Sequence, residues 1–243
     1  MGLRTFTLAA ASALCFSSFA LPASVRAQDV AEAAPATRLR PTSDELSIIG
    51  GRTMASGESA LAGGLGWPGF WIEYQLAPSS RFNLGFRAHV DYAAQLGTGA
   101  GFGGGLSVPL RFLIFAKDRF DVALWVTPFF GLGEGAYVGQ EGVFSDDFGW
   151  TAHVTAGLRL SFQASRLFTF TGGAEGSGGI LVNSAADDVD PIATFAAIAG
   201  AEIRMSASTI LFALLRVGGG IRPDELFDGA LFLRGSIGFA YRL

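Results

Sequence analysis

Arg81-Phe82-Asn83-Leu84-Gly85-Phe86-Arg87-Ala88-His89-Val90-Asp91-Tyr92-Ala93-Ala94-Gln95-Leu96 is the stretch from which the fold can be read. Side chains of a β-strand point alternately to its two faces. On that period Phe82, Leu84, Phe86, Ala88, Val90 and Tyr92 share one face, while Asn83, Gly85, Arg87, His89, Asp91 and Gln95 share the other. One face is greasy and the other polar. The same split recurs at residues 150–162, where Trp150, Val154, Leu158, Leu160 and Phe162 oppose Thr151, His153, Thr155, Arg159 and Ser161. It recurs at the C-terminus, where Leu231, Leu233, Ile237, Phe239, Tyr241 and Leu243 oppose Arg234, Ser236, Ala240 and Arg242.

Composition narrows what such strands can build. Half the residues are hydrophobic and only 16% are charged, yet beyond the N-terminus no apolar run is long enough for a transmembrane helix. The apolar content is therefore spread by alternation, as in strands with one face to lipid and one to a lumen. A soluble barrel also alternates, with its apolar face inward, so strand length and aromatic placement must decide. A tilted membrane span needs about 9 to 11 residues, and the alternating runs are that long or longer. Trp67, Phe70, Tyr74, Phe82, Tyr92, Trp150, Phe162 and Tyr241 fall near strand ends, where interfacial belts belong. The expected fold is all-β, a transmembrane antiparallel up-and-down barrel.

The N-terminus sets the compartment. Residues 1–27 open with Arg4, run through an apolar stretch from Phe6 to Leu21, and close on Val25-Arg26-Ala27. This is a signal peptide with cleavage expected after Ala27, which implies export to the outer membrane. Cys15 is the single cysteine and lies inside the leader, so the mature chain has no disulfide, thiolate metal site or cysteine nucleophile. Losing Arg4 and Arg26 leaves it more acidic than the −4 of the whole chain, with Lys117 its one lysine. That charge excludes nucleic acid as a natural partner. Residues 28–45, with Pro35 and Pro41, read as a flexible periplasmic tail. The barrel domain is expected over residues 46–243.

Four short polar connections, centred near residues 79, 118, 165 and 207, join alternating runs and recur at roughly forty-residue intervals. One hairpin plus one long loop per interval gives about ten strands, with both chain ends on the short-turn side. The expected spans are 46–55, 67–76, 81–95, 102–116, 120–136, 149–162, 167–181, 192–206, 209–219 and 230–243. The alternative is eight strands behind a loose N-terminal segment, because Ile48-Ile49-Gly50-Gly51 alternates poorly. The long loops are acidic around Glu141, Asp146 and Asp147, around Asp187, Asp188 and Asp190, and around Asp224, Glu225 and Asp228. Solvated surface explains these acids, though hard divalent cations could also bind there.

The closing residues Gly235-Ser236-Ile237-Gly238-Phe239-Ala240-Tyr241-Arg242-Leu243 resemble the terminal signal of bacterial outer-membrane barrels, with Leu243 in place of a terminal phenylalanine. The chain is similar over residues 46–243 to the generic OmpX-type and OmpA-type small barrels. That resemblance implies Ile237, Phe239, Tyr241 and Leu243 as an insertion signal. It also implies assembly by the barrel-insertion machinery with periplasmic chaperones, and contact with outer-membrane lipid and lipopolysaccharide. It specifies architecture and no activity.

The polar faces carry nearly balanced charge. Glu73, Asp91, Asp121, Glu175 and Glu202 stand against Arg87, Arg111, Arg159, Arg204, Arg216 and Arg234. Charges inside a narrow barrel must pair, which favours an ion-paired and largely plugged lumen; the alternative is a small-solute, porin-like channel lined by the same residues. His89 shares a face with Asp91, and barrel proteases of the omptin type use aspartate and histidine; His153 with Thr155 would be a deacylase-like pair. Satisfied lumen histidines are the simpler reading, so no enzymatic activity and no cofactor are expected. The glycines within 99–105 and 172–179 lack the lysine of a phosphate loop and read as close packing.

Overall fold

The computed structural model describes residues 46–67, 69–93, 100–134, 148–183, 188–221 and 230–243. The expected leader and tail, and the acids at 141, 146, 147, 187, 224, 225 and 228, lie outside the described residues. Eleven strands are found among those described. They are β1 Ser59–Trp67, β2 Gly69–Ser79, β3 Phe82–Ala93, β4 Ala100–Ser107, β5 Leu110–Lys117, β6 Phe120–Glu134, β7 Phe148–Gln163, β8 Phe168–Asn183, β9 Asp188–Arg204, β10 Thr209–Ile221 and β11 Ala230–Arg242. Neighbours are antiparallel throughout, and β1 pairs with β11 from Ala60↔Arg242 to Trp67↔Gly235, which closes the sheet. Closure leaves no unpaired edge to be satisfied in lipid.

Strands β4 and β5 each pair with both β3 and β6, so they are one span broken at Val108 and Pro109. The count is therefore ten spans. Sequence periodicity treats 102–116 as one strand; the break arises because Pro109 has no N–H to give the ladder. The surrounding groups stay paired, with Gly85 N donating to Pro109 O at 2.7 Å and Val108 N to Pro128 O at 3.0 Å.

The greasy face points outward. Leu231, Ile237 and Leu106 are 78%, 69% and 66% exposed, whereas Glu73 and Arg111 on the opposite face are 0% and 1% exposed. No water-soluble fold sustains a continuous apolar exterior of this kind, so lipid is the solvent for it. Aromatic pairs mark both margins. Phe82 stacks on Phe112, and Phe120 packs against Phe162, at 4.8 Å beside the short turns. Trp67 with Tyr92 and Phe130 with Trp150, at 6.1 and 6.0 Å, lie at the opposite margin.

All four expected turns are present as the β2–β3, β5–β6, β7–β8 and β9–β10 hairpins. Asp118 takes a left-handed φ of 52°, as tight hairpins require. Ser165 Oγ accepts from the amides of Leu167 and Phe168, and Ser206 Oγ accepts from those of Ser208 and Thr209. The pairing Ala60↔Arg242 puts the start of β1 and the end of β11 on this same side.

The first expected strand, 46–55, is not a strand. The first span is instead Ser59–Trp67, a region that the turn spacing assigns to a loop. Residues 46–55 enter the barrel at its short-turn end and are buried there, with Leu46, Ile48, Ile49 and Met54 all at 4% exposure or less. They pack on Ala60, Ala62, Ile198, Ile210, Phe212 and Leu214, an apolar sector of the inner wall. Burying a side chain of this type is worth about 1.5–3 kcal/mol. Gly51 permits the approach: a Cβ there would stand 2.8 Å from Asp121 O and 2.9 Å from Arg159 O. Asp188 and Asp190, expected in a loop, belong to the first rungs of the ladder in β9, paired with Asn183 and Leu181.

Candidate functional site

The inner wall and the inserted segment are joined mainly through wall side chains and segment backbone. Glu202 on β9 accepts from the amides of Ile48 at 2.7 Å and Ile49 at 2.8 Å through a single carboxylate oxygen. Arg111 on β5 donates to three carbonyls, those of Ser47 at 2.8 Å, Ile48 at 2.5 Å and Arg52 at 2.5 Å. Arg159 on β7 donates to Ile49 O at 3.0 Å, Ser161 Oγ accepts from Gly51 N at 2.5 Å, and Asn83 Oδ1 accepts from Met54 N at 3.3 Å. Arg52 returns the exchange, its Nε lying 2.9 Å from Asp121 Oδ2. An irregular segment in a closed lumen leaves its ladder groups orphaned, and these wall groups supply the missing partners.

Two charge clusters lie within the wall itself. Glu73 is bonded by Gln75 Nε2 and by the Arg87 guanidinium, whose carbon sits 4.3 Å from the Trp71 ring centre. Glu175 has Arg216 Nε 3.1 Å from one oxygen and Arg159 Nη2 3.6 Å from the other. The guanidinium carbons of Arg159 and Arg111 lie 3.6 Å and 4.2 Å from the Trp125 ring centre. Cation–π contact of this kind offsets part of the cost of holding arginine away from water.

Beyond the segment, toward the long-loop end, the lumen holds a cavity of about 140 Å³. Ile49 and Leu214 lie at its inner end, and Trp67 and Asp91 near the rim. Phe129 separates the two histidines, edge-on to His89 at 5.4 Å and stacked on His153 at 4.6 Å. His89 Nε2 meets Ser107 Oγ at 3.0 Å.

The eleven charged residues singled out from sequence thus take several places. Glu73 meets Arg87, and Glu175 meets Arg159 and Arg216. Glu202, Arg111 and Asp121 turn to the inserted segment. Asp91 and Arg234 line the cavity, and Arg204 is half-buried near the short turns. Ile237, Phe239, Tyr241 and Leu243 face outward on or just beyond β11, at 69%, 56%, 49% and 66% exposure. Sequence reading missed Arg52 and the inward aromatics Trp71, Trp125 and Phe129. The aromatics share a face with Glu73, Asp121 and Thr127 at period two, and that was the available signal. Among the described residues no cluster of metal-ligating side chains is found.

No protein-family model and no curated protein matches the chain. Solved structures similar to it include Ail, the attachment invasion locus protein of Yersinia pestis, at 14% identity and TM-score 0.37 over 77% of this chain and 99% of that one. The outer membrane protease OmpT from Escherichia coli is similar at 7% identity and TM-score 0.36, over 78% and 94% of the two chains. A major outer membrane protein from Thermus thermophilus is similar at 15% identity and TM-score 0.30, over 76% and 98%. No activity is carried over from them. On its own closed ladder and outward apolar band, this chain is a small integral β-barrel of the outer-membrane type.

Proposed function

We propose that the chain is exported, cleaved after Ala27, and inserted as a non-conducting outer-membrane barrel that acts through its exterior and long-loop end, without enzymatic activity. The observation that supports this most is residues 46–55 lying across the short-turn end of the lumen, bonded by Glu202, Arg111, Arg159, Ser161 and Asn83. Breaking such contacts leaves charged groups buried without partners, which costs several kcal/mol in barrels and cores alike. On this reading the outward face of β11 is what the insertion machinery meets, and outer-membrane lipid and lipopolysaccharide surround the aromatic margins.

Planar-bilayer recording tests it. The full chain is expected to give no stable current, and a chain lacking residues 46–55 is expected to give stepwise openings. A stable open current from the full chain would overturn the reading in favour of a small-solute channel.

A further inference from the structure

The cavity beyond residues 46–55 gathers more positive than negative charge. Arg216 on β10 and Arg234 on β11 are direct cross-strand partners, and both line the cavity. Like charges in that relation repel, and more strongly in a lumen than in water. Arg159 converges on the same place from β7, and Glu175 serves both Arg159 and Arg216. Arg87 reaches the cavity with Glu73 behind it, and Asp91 lies at the rim. Among the described residues, four guanidiniums therefore meet three carboxylates there, and the surplus is one positive charge.

The rest of the lining mixes polar side chains, among them His89, Ser107, Thr127, His153, Thr155 and Ser236, with an apolar set. Trp71, Trp125, Phe129 and Leu214 form walls, with Ile49 of the inserted segment below. Paired guanidiniums suit the two oxygens of a carboxylate, and an aromatic wall suits a flat or apolar body. The volume of about 140 Å³ is close to that of cavities which hold a single benzene-sized ring. We propose that this cavity binds a small organic monocarboxylate with a one-ring apolar body. The carboxylate lies at Arg216 and Arg234, and the body lies against the aromatic wall. Entry is from the long-loop end, because residues 46–55 occupy the other. This goes beyond the non-conducting reading, since a closed barrel need hold no ligand.

Benzoate titrated by calorimetry into the full chain, refolded in detergent, is expected to bind saturably. Benzyl alcohol has the body without the charge, and inorganic phosphate has charge without the body; each is expected to bind at least about tenfold more weakly. Arg234→Gln is expected to weaken benzoate about tenfold or more while gel migration stays heat-modifiable. Should that variant fail to fold, Arg216→Gln is measured in its place with the same expectation. Absence of saturation by about 10 mM benzoate, equal affinity for either control compound, or unchanged affinity in a folded variant would each overturn the proposal. Current recording reads the closure of the lumen separately, so the two can fail independently.

Discussion

Glu202 is 3% exposed, and both of its segment contacts use one oxygen, so a single side chain holds two consecutive backbone amides that have no ladder to join. A buried N–H left without an acceptor costs about 1–3 kcal/mol. Glu202→Ala removes the acceptor of both Ile48 and Ile49 and is expected to destabilise the barrel by about 2–5 kcal/mol on that basis. Glu202→Gln keeps a carbonyl oxygen in place and is expected to lose less than half as much, since one acceptor can still serve both amides. Urea unfolding of the detergent-refolded chain, followed by tryptophan emission, reads both. An alanine variant as stable as the parent would show that the segment does not depend on this carboxylate.

At the level of elements, the spans follow from period-two alternation because one face meets lipid and the other the lumen, so a slip of one residue would reverse every side chain. That is why β3, β7 and β11 lie close to where their alternation places them. Two elements were not legible. Leu46 to Ala55 lacks alternation because its surroundings are apolar wall on one side and polar wall on the other, a condition that periodicity does not encode. The β4–β5 break at Pro109 was visible as a proline but not as an interruption, since edge and bulge positions also accept proline. Of the candidate site, the charges could be found from their shared inward face, whereas their partners could not: Arg111 and Glu202 read as wall-to-wall pairing residues and instead serve the segment. The outward face supports its own prediction. Leu158 on β7 is 49% exposed on the apolar exterior. Leu158→Arg is expected to cost about 2–4 kcal/mol in refolding into lipid vesicles, the cost of a cation on a lipid-facing strand, where a water-facing position would cost almost nothing. A variant that refolds into vesicles as stably as the parent would place that face in water.

Across the whole molecule, three conditions hold together: a closed ladder from β1 to β11, an apolar exterior between two aromatic margins, and a lumen filled at the short-turn end by residues 46–55. Closure satisfies the backbone in a solvent that offers no hydrogen bonds, and the filled lumen gives the inward charges partners without admitting lipid. Each condition depends on lipid being what the phenylalanine-bearing face of the strands meets. Gel migration of the detergent-extracted membrane fraction, with and without heating, tests this most directly. A closed barrel stays folded in cold detergent and is expected to run ahead of its heated form. One unchanged position at both temperatures, with the protein recovered in the aqueous fraction, would contradict it.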